Sequence, residues 1–103
     1  MPSTETRRVV ASKSTNEIVT IMAGKPRTPF SNEALVRVTA ISLNRGELGR
    51  AQRTADGTLQ IGWDFVGTVD TPAADGTGPV AGIRVVGFST RMEGWAELVA
   101  VPT

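Results

Sequence analysis

The chain contains no cysteine and no histidine. Without cysteine there is no disulfide framework, no thiolate nucleophile and no cysteine-ligated zinc. Without histidine the usual general base and the commonest transition-metal ligand are missing, so chemistry must come from carboxylates, hydroxyls, asparagine, lysine or a bound cofactor. Aromatics are scarce, two tryptophans and three phenylalanines, and the formal net charge is only +1, with 11 basic residues, nearly all arginine, spread along the chain. A nucleic-acid surface needs a basic face interleaved with aromatics, and the sequence offers none. Apolar runs are short: none approaches the roughly 20 residues of a membrane-spanning helix. Residues 1–8 are polar where a secretion signal is apolar, so a cytoplasmic protein with no membrane partner is the expectation.

What is present is a β pattern. The 103 residues fit one domain, able to bury roughly 65% of its unfolded surface without staples. The organising stretch is Ile-Gly-Trp-Asp-Phe-Val-Gly-Thr-Val (61–69), in which a glycine corner leads into period-2 alternation of Phe65, Gly67 and Val69 against Val66 and Thr68. Residues 1–6 read as a frayed start. The β-branched runs 7–12 and 17–23 flank the polar turn Lys-Ser-Thr-Asn (13–16) and predict a hairpin. Residues 24–32, with Pro26 and Pro29, read as an extended connection.

The longest strand signal is 33–43, apolar on both faces at its centre as in an interior strand. Residues 44–52 (Asn-Arg-Gly-Glu-Leu-Gly-Arg-Ala-Gln) break the pattern and support one or two helical turns, and Asp56-Gly57 marks a turn. Gly62 and Gly67 read as a corner and a bulge. Further strands fall at 65–71, 83–88 and 95–101. Roughly seven short strands with frequent turns point to a barrel or sandwich. Gly76-Thr77-Gly78-Pro79 lies on a β-turn where no helix can start, which argues against a dinucleotide fingerprint.

Five blocks then stand in order: Glu-Ala-Leu-Val-Arg-Val (33–38), Leu-Asn-Arg-Gly-Glu (43–47), Gly-Trp-Asp-Phe-Val-Gly-Thr-Val (62–69), Ala-Gly-Ile-Arg-Val-Val-Gly (81–87) and Gly-Trp-Ala-Glu-Leu-Val-Ala-Val-Pro (94–102). Their order and spacing resemble the N-terminal, GroES-like domain of the medium-chain dehydrogenase/reductase (alcohol dehydrogenase) superfamily, and most of all its zinc-independent quinone oxidoreductase branch. The resemblance covers residues 7–103. It implies a mainly β fold, a GroES-like partly open β-barrel of short strands with one short helix after the long central strand. It also implies that residues 1–103 are one domain of a longer reductase whose Rossmann cofactor domain is absent from this chain.

Zinc-dependent relatives carry cysteine on the loop after the long strand and histidine at the corner; this sequence has Asn44 to Glu47 and Trp63-Asp64 there, so no zinc is expected. The quinone reductases read roughly Asn-x-x-Asp on that loop. Here Glu47 stands one methylene longer, and the later Gly-Asp-x-Val signature, Gly82-Ile83-Arg84-Val85, lacks its acid.

By resemblance Asn44 is the catalytic candidate, its amide near the nicotinamide and the substrate carbonyl. Otherwise it closes the loop as an Asx turn. Trp63 and Trp95 are either flat walls of a substrate pocket or core packing with a satisfied indole N–H. Arg45, Arg50 and Arg53 either steer an anionic group or are solvated. Asp64 either faces the cleft or, as is commoner at a corner, accepts backbone N–H bonds. The site set is therefore Asn44, Arg45, Trp63 and Trp95 for substrate, and Asn44, Glu47 and Arg50 for cofactor.

The implied function is hydride transfer from NADPH to a quinone or enone, with Asn44, Arg45 or backbone N–H groups stabilising developing charge. The isolated domain is expected to be inactive, because half a cleft holds a cofactor poorly. Apolar surface around 44–53, Trp63 and 92–95 is expected to be exposed and to favour a homodimer. The alternative is a free-standing barrel acting as a non-catalytic binding or assembly module.

Overall fold

The computed structural model describes residues 6–12, 17–53 and 60–103. Six strands and one helix follow in order: β1 (Thr6–Ala11), β2 (Val19–Gly24), β3 (Glu33–Ile41), α1 (Arg45–Arg53), β4 (Asp64–Thr71), β5 (Arg84–Phe88) and β6 (Leu98–Pro102). The architecture is mainly β, as expected, with six strands among the described residues in place of about seven. The 13–16 turn and Asp56-Gly57 lie outside the described residues.

β1 and β2 form the predicted antiparallel hairpin, with Arg8 opposite Met22 and Val10 opposite Thr20. The other four strands make an antiparallel sheet in the order β5-β4-β3-β6. β-Branched residues fill these strands because their stiff side chains fit a pleated, half-buried surface. The two sheets do not close into one barrel; a crossing segment joins them. Residues 95–97 first serve β1, Val9 N–H donating to Trp95 O at 2.8 Å and Glu97 N–H to Arg7 O at 2.9 Å. The same segment then accepts Val38 N–H on Glu97 O at 2.8 Å and continues as β6 beside β3. Read from sequence, 95–101 is one strand. In the structure Trp95 and Ala96 face β1, Glu97 bonds to both β1 and β3, and the residues after it run beside β3.

The bulge expected at Gly67 falls on the facing strand, where Thr39 of β3 is the extra residue between the Val38–Gly67 and Ala40–Val66 pairs. Register slips between Val38 and Ala40 of β3 and between Leu35 and Val36, while Gly67 sits flat against the Arg37 backbone, with no room for a Cβ.

Two small cores result. Ala11, Ala51, Ile61 and Trp95 lock α1 onto the hairpin, and Val36, Phe65 and Val99 fill one face of the larger sheet. Trp95, expected on an exposed apolar surface, is only 5% exposed. Large apolar side chains are left open at the start of α1, where Leu43 is 76% exposed and Leu48 is also exposed, close to the expected surface, and at the edge strand β5 and the turn before it, with Val86 81% and Val80 65% exposed. Among the described residues no helix is long and apolar enough to cross a membrane.

A charged clamp fixes the entry to β3. Arg27 grips Glu33 with its two terminal guanidinium nitrogens, at 2.6 and 2.7 Å, and its Nε reaches Glu93 at 3.2 Å. Phe30 N–H also donates to Glu33 at 2.8 Å. The Arg27 hydrogen bonds hold the buried Glu33 carboxyl below the usual carboxylate range, against the opposing pull of burial. A carboxyl lowered on folding contributes stability that is complete above its unfolded pKa and lost as pH falls through the folded one. Urea unfolding should therefore give constant stability from neutrality to about pH 5 and a decline below it. Glu33→Gln should lower the neutral plateau and make the acid decline shallower; an unchanged acid limb would contradict this role.

Candidate functional site

The site is built where β3 ends, α1 starts and the Gly62 corner folds back. Asn44 is the residue before α1, and its carbonyl accepts Leu48 N–H at 3.4 Å. Glu47, third in the helix, reaches back with Oε1 to Asn44 N–H at 3.0 Å. This is the acidic half of a capping box, satisfying a donor that the helix start leaves without a partner. The cap explains why α1 runs nine residues, longer than its two glycines suggest. Gly46 leaves space for the Trp63 ring, which lies over this first turn where a Cβ would collide with it.

Glu47 also spans to the corner, its Oε2 accepting Trp63 N–H at 2.9 Å. Its side chain is fully buried, and both oxygens are used. The extra methylene over aspartate gives the reach for both the helix and the corner.

A polar row extends from this carboxylate. Asn44 Nδ2 donates to Glu47 Oε1 at 2.9 Å and to Ser42 Oγ at 3.2 Å; Ser42 Oγ donates to Asp64 Oδ2 at 3.0 Å. Asp64 thus accepts a side-chain hydroxyl where a backbone N–H was the commoner expectation. Sequence reasoning missed Ser42. The available signal was its spacing: beyond the last paired residue of β3, positions 42 and 44 are two apart in extended chain and share a face.

Of the six expected site residues, Asn44, Arg45, Glu47 and Trp63 come together here. Asn44 and Trp63 are half-buried and Arg45 is exposed. Arg50 lies further along α1, its Nε buried with no hydrogen-bond partner among the described residues. Trp95 is separate: it packs in the core over Gly62, and its indole Nε1 has no partner among the described residues, so the expected satisfied N–H is not found. One edge of Trp95 lines an open groove of about 340 Å³ between the hairpin and β3, with Ile21, Val38 and Ile41. Arg7 and Glu97 pair at the rim of that groove at 3.2 Å. The Arg7 hydrogen bonds hold the Glu97 carboxyl below its usual range. A second cavity, of about 310 Å³, opens beside β5 and is lined by Val36, Phe65, Val85 and Phe88. Both are mainly apolar, the first with Arg7, Arg8, Thr39 and Glu97 among its lining; a connected row of polar side chains converges at the start of α1.

None of the protein-family models matches the chain, and no curated protein matches it. Solved structures do. The human synaptic vesicle membrane protein VAT-1 homolog-like protein superposes with a TM-score of 0.81 at 27% identity, over 97% of this chain and 33% of that one. The quinone oxidoreductase from Coxiella burnetii gives 0.78 at 18% identity, over 95% and 35%. CurK enoyl reductase gives 0.77 at 15% identity, over 97% and 33%. The chain spans about a third of the length of each.

Proposed function

We propose that this chain, which has the GroES-like fold of the medium-chain dehydrogenase/reductase superfamily, forms the acceptor-binding side of a zinc-independent, NADPH-dependent reductase of quinones or activated alkenes. The carrying observation is that the residues of the Asn-Arg-Gly-Glu block, scattered in function by sequence reasoning, converge with Trp63 at one helix start on a fold shared with a quinone oxidoreductase and an enoyl reductase.

The donor set fits one edge of a nicotinamide site. Asn44 and the exposed Arg45 are available to it, with Arg50 further along the same helix, whereas Glu47 acts through Asn44 because its own oxygens are consumed by the cap. Bound NADPH supplies the hydride. From this chain, Trp63 supplies a flat apolar wall, Arg45 a fixed positive charge near developing negative charge, and Asn44 a positioned amide.

The test is NADPH oxidation by the full-length protein with a quinone and an enone as acceptors. Asn44→Ala should lower turnover by about tenfold, the scale of losing one hydrogen bond that orients the bound partner. Turnover equal to that of the unsubstituted protein would overturn the assignment.

A further inference from the structure

The polar row has a direction, and the direction decides what Asn44 offers a ligand. Both of its ends are carboxylate oxygens: Asp64 Oδ2 beyond Ser42, and Glu47 Oε1 beyond the Asn44 amide. A hydroxyl has one hydrogen, so a Ser42 that donates to Asp64 can only accept from Asn44. The Asn44 NH₂ group has two hydrogens and meets two acceptors, Ser42 Oγ and Glu47 Oε1. Turning the amide over would press Oδ1 against Glu47 Oε1, acceptor on acceptor. Glu47 cannot retreat, because Asn44 N–H and Trp63 N–H hold its two oxygens. Oδ1 is the group left over, with no hydrogen bond among the described residues.

We infer that Ser42 and Asp64 are positioning residues for Asn44, and that with Glu47 they make it present an acceptor, so that the site recognises a ligand hydroxyl in preference to a carbonyl. For the reaction proposed above, this means that Asn44 binds the reduced, hydroxyl-bearing partner. The developing negative charge is left to Arg45 and backbone N–H groups. The ligand part of the inference rests on the proposed function; the amide orientation does not.

Two measurements test it. In the ¹⁵N-labelled chain, both Asn44 Nδ2 protons should exchange with solvent at least about tenfold more slowly than in the urea-unfolded chain. Ser42→Ala should release one of the two and leave the other protected, and Ser42→Thr, which keeps the hydroxyl, should restore both. Asp64→Asn should weaken the protection of the same proton, since an amide at 64 no longer keeps the Ser42 hydroxyl hydrogen turned away from Asn44. A merely structural role would release both protons together or neither; either result, or unprotected protons in the unsubstituted chain, overturns the positioning.

In the full-length protein, calorimetry under argon should show 1,4-benzohydroquinone binding about tenfold more tightly than 1,4-benzoquinone, the scale of one hydrogen bond. Asn44→Ala should close that gap and Ser42→Ala narrow it. An Asn44-dependent preference for the quinone overturns the inference. If neither compound binds the unsubstituted protein, the quinone reading fails, and proton exchange alone decides the amide.

Discussion

Gly62→Ala should cost about 4 kcal/mol, a large part of the 5–15 kcal/mol that holds a domain of this size together. Two effects add. Gly62 has φ +105°, outside the region an L side chain adopts readily, and this strain accounts for about 1–3 kcal/mol. In addition, a Cβ would overlap the Trp95 ring and its backbone nitrogen, and neither can yield. Trp95 is packed with Ala11, Ala51 and Ile61, and its N–H donates to Ile61 O at 3.1 Å while Gly94 N–H donates to Gly62 O at 2.9 Å. Gly76→Ala is the matched control, because Gly76 also has a positive φ, 81°, but nothing lies within 4 Å of its would-be Cβ. Its cost should be about 1 kcal/mol. Urea unfolding of both variants separates strain from collision. Equal losses at the two positions would mean that the Trp95 contact contributes nothing.

Glu47→Gln should cost about 2–3 kcal/mol although it changes no volume. Three donors converge on the two carboxylate oxygens: Asn44 N–H, Asn44 Nδ2 and Trp63 N–H. A glutamine brings one oxygen and one NH₂ group, so in either orientation a donor faces a donor in a fully buried setting. The helix start and the corner should loosen together. Hydrogen exchange at the Trp63 and Asn44 backbone amides should accelerate in step with the loss of stability in urea. Loosening at only one of the two would show that Glu47 does not bridge them.

These two residues also show how far the sequence could be read. The β-branched runs, the hairpin and the glycine corner follow local rules, because alternation and turn chemistry act over a few residues. Asn44 and Glu47, three apart, carry a capping signature that is local too, although the two nearby glycines lower the helix propensity of the same stretch. What no local rule contains is that Glu47 reaches Trp63, sixteen residues on, or that Ser42 meets Asp64 across β3 and β4. Those contacts depend on the register between β3 and β4, which slips twice along its length, and a slip of one residue moves a side chain to the other face.

By itself, then, the sequence determined the composition of any possible chemistry, with no thiol and no imidazole, the mainly β class, and the five-block order that resembles a GroES-like domain. The tertiary structure alone decided which of the candidate residues lie together. It drew Trp95 into the core, divided residues 95–102 between two sheets, and turned Glu47 from a candidate ligand group into the buried carboxylate that orients Asn44. The physical reason is that a buried polar group must find its partners wherever the packed chain puts them, and those partners are distant in sequence.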